Sequence, residues 1–449
     1  MAIENTPLMS QILEIATGGE RNVHLNVWCE IKANGVTIKP LKLLSFSSAE
    51  LYDENFAEVV MAEISIGLGT FNHDIYPYRD NLEIKVYKQP IKEVSDAEDP
   101  NLKIRSYKYR AVLVDESSAK LEASRNKAAA KDIQDVSGIK TFTVQLIDPL
   151  IEQLRMKTVG GVLRKTCAGD ALRLMLDKEG KNLPLSTQEL IKGVDIVTPY
   201  NTEIRDHMVI EHGTRLTSLP NLFQDKMGGV YPTGIAHFIK DLTWYIFPRY
   251  DVKRFSKTPN TLTVINVPQD KMPGIERTFK QTPKRLVILA TGQVKHFDPS
   301  EDRQLNEGNG ARFTDARKVL GGIGEVLNNK LVIKRSDTTS EFVSELRKTG
   351  LNNVLNGVKR FTVNAYAEMT ALASRGGSYI TLLWENSDPS LLRPGMPVRL
   401  LYEYNGNVEE AYGLLIRAES DTFTKVPGIT SRRYTTNTAV TLFIGRKEK

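Results

Sequence analysis

The side chains that could perform chemistry are few in this chain and lie far apart. Its six histidines are His24, His73, His207, His212, His237 and His296. Only His207 and His212 are close, and their spacing of five residues would place them on opposite faces of a strand. The two cysteines, Cys29 and Cys167, form neither a metal-ligand spacing nor a redox motif. We therefore predict no metal site, two small buried cysteine side chains and assembly in a reducing cytoplasm.

Signatures of enzymes are also lacking in the sequence. The glycine-rich stretches Gly160-Gly161, Gly228-Gly229 and Leu320–Gly324 lack the Gly-Lys-Ser/Thr ending of a phosphate-binding loop, and we interpret them as caps and turns. The acidic pairs Asp53/Glu54 and Glu409/Glu410 lie in charged, exposed contexts. A glycosidase, by contrast, needs two carboxylates that face each other across a cleft. We predict a protein that is not an enzyme and that takes no cofactor and no small-molecule substrate.

Tyrosine is the residue type that says most about function in this chain. Tyrosine is enriched at protein interfaces, where one end of the side chain is dry and the other is wet. It also fills the cores of small β-barrels, and the sequence leaves both interpretations open. The candidate interface residues are Tyr76, Tyr78, Tyr87, Tyr109, Tyr231, Tyr402 and Tyr404.

Length and composition indicate a globular protein of about three domains. The chain has 449 residues, of which 41% are hydrophobic and 25% are charged. It lacks an apolar run of about 18 residues that could cross a bilayer, and its first residues lack the basic region of a secretory signal. The formal net charge is +6. The basic stretches Lys103–Arg110 and Arg249–Lys257 are interleaved with aromatic residues, as in some nucleic-acid grooves. A strand with a basic solvent face explains the same alternation, and no recognition motif accompanies it.

The elements that must position these residues are mostly strands. Period-two alternation predicts strands at Val23–Ile31, Ala57–Leu68, Asn81–Tyr87, Tyr109–Val114, Thr141–Leu146, Tyr379–Trp384, Val398–Tyr404, Tyr412–Arg417 and Ala439–Ile444. Asn405-Gly406 predicts a hairpin between two of the last strands. Helical spacing predicts helices at Pro149–Met156, Asp170–Leu176, Pro220–Met227 and Ser340–Thr349, and a helix or arm within Met1–Gly19 that packs on its own domain or on a neighbouring subunit.

One central stretch, Gly228–Phe279, is predicted to hold the middle of the protein in shape. Asp241–Tyr250 is apolar on both faces and predicts a strand that is covered on both sides. Thr261–Val267 alternates, and Asp251–Asn260 between them is charged and ends in a turn signal. We expect a β-hairpin with a long loop.

The fold class predicted from these elements is α+β, mostly β, with a small β-barrel at each end of the chain and a mixed α/β region between them. The predicted division is an N-terminal arm at 1–21, a first β-barrel domain at 22–148 and a mixed α/β domain at 149–299. A linker with a helical segment follows at 300–358, and a second β-barrel domain at 359–449. Two segments are predicted to be solvated surface, an Ala- and Lys-rich insert at Glu116–Lys131 and a polar loop at Ser300–Arg312.

A series of segments along the chain resembles the baseplate hub family of tailed bacteriophages. They are DIYPYRDNLEIKVYK (Asp74–Lys88), KYRAVLVDE (Lys108–Glu116), FTVQLIDPLIEQLR (Phe142–Arg155), the Gly228–Phe279 stretch and LLRPGMPVRLLYEYNGNVEEAYGLL (Leu391–Leu415). That family is similar to the hub part of the type VI secretion spike. The resemblance covers about Asn22 to Arg446. Its motifs are structural, and it supplies no catalytic residues. Glu116–Lys131 and Ser300–Arg312 have no assignable counterpart.

The resemblance implies a structural role in a virion. In such hubs, two barrel-like domains per chain form a six-fold-like ring in a homotrimer, which adapts the hexameric tail tube protein to the trimeric central spike protein. Baseplate wedge proteins would be further partners, and DNA would be met only as the passing genome. We expect a location in the tail baseplate of the virion, with assembly in the host cytoplasm. The alternatives are another baseplate wedge or adaptor protein, a tail-associated cell-wall hydrolase and a nucleic-acid-binding protein.

Overall fold

The computed structural model describes residues 7–19, 24–91, 104–114, 138–267, 277–292, 326–327, 330–331, 365–374, 376–404, 407–424 and 433–445. The strands are β1 Leu25–Ala33, β2 Val36–Ile38, β3 Lys42–Leu51, β4 Val59–Gly67, β5 Leu82–Pro90, β6 Arg105–Leu113, β7 Ile139–Ile147, β8 Thr158–Thr166, β9 Gly193–Ile196, β10 Arg205–Arg215, β11 Ile235–Lys240, β12 Thr243–Pro248, β13 Thr261–Asn266, β14 Phe279–Thr282, β15 Arg285–Ala290, β16 Val326–Leu327, β17 Lys330–Leu331, β18 Gly377–Trp384, β19 Pro397–Tyr404, β20 Asn407–Thr424 and β21 Tyr434–Gly445. The helices of seven or more residues are α1 Pro7–Gly18, α2 Pro149–Met156, α3 Ala168–Lys181, α4 Leu219–Asp225 and α5 Ala365–Ser374.

Eight antiparallel strands pair in a closed circuit, which we call the first ring. Its order is β20, β3, β4, β7, β6, β5, β1 and β21, and β21 pairs again with β20. The β1–β21 contact is a single residue pair, Leu25 with Tyr434. Alternate residues of these strands point inward, so that side chains such as Ile31, Ile64 and Ile84 are fully buried in one core cluster.

A second circuit, the second ring, consists of β13, β15, β18, β19, β20 and β21. In it β13 lies parallel to both β15 and β19, β19 pairs with β20, and β21 pairs with β18. An isolated bridge between Thr291 and Leu383 closes the circuit through two backbone hydrogen bonds of 2.8 and 2.7 Å. Its interior is a separate core that includes Val264, Leu400 and Trp384. The two rings therefore share β20 and β21, two long strands with enough residues to serve both.

The middle of the chain packs around a third core. It contains a three-stranded sheet in the order β11, β12, β9, a two-stranded ribbon of β8 and β10, and the helices α2, α3 and α4. The side chain of Asp148 accepts the backbone N–H of Leu150 and caps α2, which has proline at its first position. Helix α1 lies on the outer face of the second ring, where Leu8, Ile12 and Ile15 contact Ile265 and other residues of that face.

The predicted mostly β, α+β class is confirmed, whereas two separate β-barrels at the chain ends are not. Strands from both ends of the chain belong to one sheet, since β1 and β3 pair with β21 and β20, and β13 and β15 from the middle of the chain pair into the second ring. The proposed domain boundaries stay a prediction.

The predicted hairpin between Asp241–Tyr250 and Thr261–Val267 is wrong. Asp241 and Leu242 have φ of 50° and 61° and form the turn of a different hairpin, in which β12 pairs with β11. The reason is local, because a two-residue turn of this conformation matches the twist of the strands on either side of it. The strand at 261–266 instead joins the second ring.

Most other predicted elements are confirmed with bounds shifted by a few residues. Helix α2 is observed at the predicted bounds, and Tyr404 pairs with Asn407 as the hairpin around Asn405-Gly406 requires. Both cysteines are buried and free. Strands β2, β3, β8, β9, β10, β11, β14, β15, β16 and β17 were not predicted. The predicted features at Glu116–Lys131, Ser300–Arg312 and Ser340–Thr349 lie outside the described residues. Within the part of the chain that is described, no helix is long and apolar enough to cross a membrane.

Candidate functional site

The interior face of the first ring changes from apolar to polar at one end. On β3 the inward positions run from Phe46 to Ser48 and Glu50, and on β5 the inward Val86 is followed by Lys88. The middle region covers this end, with the β11–β12 turn and the start of α2 above it. The result is a cavity of about 190 Å³. It is lined by Phe46, Ser48, Glu50, Ala57, Glu58, Lys88, Tyr107, Tyr109, Asp148, Leu150, Ile151, Phe238, Ile239, Lys240, Asp241, Leu242, Pro389, Ser390, Ser420 and Thr422.

One ion pair crosses this cavity from the ring to the middle region. The ammonium of Lys240 on β11 lies 2.8 Å from Oε2 of Glu50 on β3 and donates to the carbonyl of Pro389 at 3.1 Å. The hydroxyl of Tyr52 donates to the same carboxylate. The two charged side chains are only 12% and 11% exposed. Lys240 therefore neutralises the charge of Glu50 and connects the middle region to the first ring at this point.

A second pair of opposite charges lines the cavity without direct contact. The carboxylate of Glu58 accepts the hydroxyl of Ser48 at 2.9 Å, and burial raises its pKa. The ammonium of Lys88 lies over the ring of Phe46, 4.2 Å from its centroid, and burial lowers its pKa. Both shifts have the same cause, since a charged form loses hydration when it is enclosed.

The chemistry open to this cavity is limited by its size and its partners. Two nearby carboxylates in different environments are a pattern that hydrolases also use. However, Glu50 is already neutralised by Lys240. Among the described residues no group of three metal-ligating side chains could hold a metal ion. The arrangement indicates a structural contact that joins the first ring to the middle region.

A second charged junction lies where the two rings meet the middle region. The side chain of Asp53, which follows β3, is 1% exposed. Arg249 donates to Oδ2 of its carboxylate at 3.1 Å, and Nε of Arg417 lies 3.3 Å from Oδ1. The hydroxyl of Tyr379 on β18 donates to Oδ2 at 3.2 Å. The expectation that the Asp53/Glu54 pair is exposed is therefore wrong for Asp53 and right for Glu54, which is 51% exposed and also pairs with Arg417.

The candidate interface tyrosines divide by exposure. Tyr76, Tyr78 and Tyr404 are 51%, 40% and 62% exposed, and the first two lie on a short helical turn after β4. Tyr109 and Tyr231 are buried inside their own chain, with Tyr231 donating to the carbonyl of Val197.

Tyr87 and Tyr402 are half-buried. The ring of Tyr87 stacks on Trp28, its cross-strand partner, with centroids 5.2 Å apart, and its hydroxyl donates to Glu30 at 2.9 Å. Tyr402 packs against the core of the second ring. The buried tyrosines fit the core interpretation, and a role at a subunit interface stays a prediction for the exposed ones.

The cavity was not predicted from the sequence. Its signal was present in the polar residues that continue an inward-facing alternation, as in Phe46, Ser48 and Glu50. The alternation can be interpreted only if these residues are known to lie on a strand, and β3 was not predicted.

Comparison with known proteins gives matches among solved structures only. No protein-family model matches the chain, and no curated protein sequence matches it. A tail protein from Neisseria meningitidis MC58 matches 93% of this chain and 96% of its own, with 9% identity and a TM-score of 0.37. The 43 kDa tail protein of prophage MuSo2 from Shewanella oneidensis matches 93% of this chain and 98% of its own, with 10% identity and a TM-score of 0.39.

A third match is an E. coli component of the type VI secretion system that has structural similarity to T4 bacteriophage tail proteins. It covers 93% of this chain and 77% of its own, with 9% identity and a TM-score of 0.39. These three solved structures are thus two phage tail proteins and one type VI secretion component, all at TM-scores below 0.5.

Proposed function

We propose that this protein is a structural hub of a phage-type tail baseplate, which forms a homotrimer between a hexameric tail tube and a trimeric spike. The observation that carries the proposal is the pair of strand rings in one chain, joined through β20 and β21. A trimer of such chains presents six rings, which is the number needed to face a six-fold tube, while three chains match a three-fold spike. Three copies related by rotation also make a closed set of heterologous contacts.

The buried ion pairs support a fixed arrangement of the middle region on the first ring. Asp53 holds Arg249 and Arg417 together, and Lys240 holds Glu50, so the middle region is tied to the first ring by buried charges. Buried pairs of this kind fix relative orientation, which an adaptor between two symmetries requires. The half-exposed tyrosines Tyr76 and Tyr78 are the surfaces that we assign to subunit or partner contacts.

The first test is the mass of the purified protein in solution by light scattering. The proposal expects three times the chain mass of 50.4 kDa. Addition of tail tube protein and of spike protein should then each give a complex that contains three copies of this chain. A monomer that binds neither protein would overturn the proposal, and six copies per particle would favour a wedge or adaptor protein.

The second test locates the contacts. The double variant Tyr76→Ser with Tyr78→Ser, and separately Tyr404→Ser, should weaken trimer formation or partner binding at least tenfold if these side chains are anchors. Tyr200→Ser is the matched control, since Tyr200 is 72% exposed and is not a candidate. Equal behaviour of all variants and wild type would remove these tyrosines from the interface.

A zymogram on host peptidoglycan tests the hydrolase alternative, and clearing that is lost in Glu58→Gln would support it.

A further inference from the structure

A second cavity lies between the middle region and the second ring. Its volume is about 210 Å³. One wall is formed by β12 and the end of β9, another by the segment that links β12 to β13, and the third by the turn before β19. The lining residues are Asp195, Val197, Tyr245, Ile246, Phe247, Arg254, Thr258, Pro259, Asn260, Arg393, Pro394, Gly395, Met396 and Pro397.

The wall of this cavity contains a buried guanidinium. Arg254 lies at the end of a short 3-10 turn, Val252–Arg254, and only 8% of its surface is exposed. Among the described residues, the one hydrogen bond of its guanidinium is a long contact of 3.4 Å from Nη1 to the carbonyl of Gly395. A guanidinium carries five N–H donors, so most of them have no acceptor in the described part of the chain.

No carboxylate neutralises this charge at close range. The described ion pairs within 4.0 Å do not include Arg254, although Asp195 and Asp251 act on it from further away. Burial lowers the pKa of Arg254, but a guanidinium stays protonated in proteins. Burying a cation without a counter-ion costs free energy. A guanidinium that lines an open cavity offsets this cost when it binds an anion there.

The rest of the cavity sets the type of anion. Arg393 is exposed and adds a second positive charge at the lining, while Asp195 on the opposite wall opposes a multiply charged ligand. Tyr245, Phe247 and Met396 offer apolar surface. The planar fork of arginine matches the two oxygens of a carboxylate in a bidentate contact.

We propose that this cavity binds a single peptide carboxylate with an apolar body, and that Arg254 holds its two oxygens with Arg393 in support. The carboxylate belongs to the C-terminus of another polypeptide or to an acidic side chain of one. This site stands on the chemistry of the cavity and does not depend on the assembly that the chain joins.

The conformation of Gly395 shapes the cavity around Arg254. Gly395 has φ of +67°, and a Cβ at this position would overlap the ring of Phe247. The turn therefore packs flat on β12, and its carbonyl is directed at the guanidinium.

The test is a titration of the full-length protein with three probes by ligand-observed NMR. N-acetyl-leucine offers a terminal carboxylate, and N-acetyl-leucinamide is its uncharged match. N-acetyl-aspartic acid α-amide, in which only the backbone carboxyl is capped, offers a side-chain carboxylate. We expect the acid to bind at least about tenfold more tightly than the amide, because a hydrogen bond to a charged group contributes more than a neutral one. The relative affinity of the two carboxylates distinguishes a C-terminus from an acidic side chain.

Two variants assign the binding to this cavity. Arg254→Gln should reduce affinity for the acid by about tenfold or more and leave the amide unchanged. Arg254 is buried, so its replacement can also disturb the fold. Arg393 is exposed, and Arg393→Gln therefore serves as a second variant, which should reduce affinity severalfold without affecting the fold. Arg173→Gln, an exposed arginine on α3, is the control and should bind like wild type. Equal affinity for acid and amide in wild type, or full binding by both cavity variants, would overturn the proposal.

Discussion

Replacing Asp53 with asparagine should destabilise the protein far more than the loss of a surface charge. Its carboxylate is 1% exposed and holds Arg249, Arg417 and the hydroxyl of Tyr379. The variant Asp53→Asn keeps the shape of the side chain and removes the charge. It leaves two guanidinium groups at the junction without their shared counter-ion.

The magnitude follows from the burial of each partner. Removing one member of a buried ion pair costs about 3–5 kcal/mol. The arginine side chains retain 28% and 25% exposure, so that water recovers part of the loss. We therefore expect the free energy of unfolding to fall by about 3 kcal/mol, the lower end of that range.

The assay is urea unfolding at one fixed protein concentration, followed by circular dichroism and tryptophan fluorescence. A fixed concentration is needed because association would add to the apparent stability. Glu54→Gln is the matched control, since Glu54 pairs with the same Arg417 but is 51% exposed, and exposed pairs contribute about 0–1 kcal/mol. If Asp53→Asn loses no more than Glu54→Gln, the argument that burial makes this junction strong is refuted.

Three further outcomes are expected. Lys240→Met should cost about 3 kcal/mol of unfolding free energy in the same assay, because Glu50 stays buried without its cation, and Glu50→Gln with Lys240→Met should restore part of it. Gly395→Ala should lower the thermal midpoint of unfolding, and the free energy of unfolding should fall by about 2 kcal/mol or more. The reason is that the positive φ of Gly395 and the ring of Phe247 both exclude a Cβ. Burial lowers the pKa of His237 to about 4, so the unfolded chain takes up a proton that the folded chain excludes. His237 should therefore lower stability by up to about 3 kcal/mol as the pH drops from about 6.5 towards 4, and this contribution should be missing in His237→Leu when unfolding is measured across that range.

The sequence by itself determined the local elements. Strict alternation in β5 and β7 required strands with one buried face, and the inward residues Ile84 and Val144 are fully buried as that pattern demands. Helix α2 was predicted at its observed bounds, because a proline at the first position and helical spacing agree within eight residues.

The tertiary structure decided which strands pair and which charges meet. Leu25 pairs with Tyr434, and Glu50 pairs with Lys240, across separations that no local pattern encodes. The hairpin prediction at Asp241–Tyr250 failed for this reason, since an apolar strand can be covered by several partners and the turn alone selected β11. The unpartnered Arg254 likewise looks like any surface arginine in the sequence. Its burial follows only from the turn at Gly395 and the strand β12 that close over it, because burial is a property of the packed chain and not of the residue.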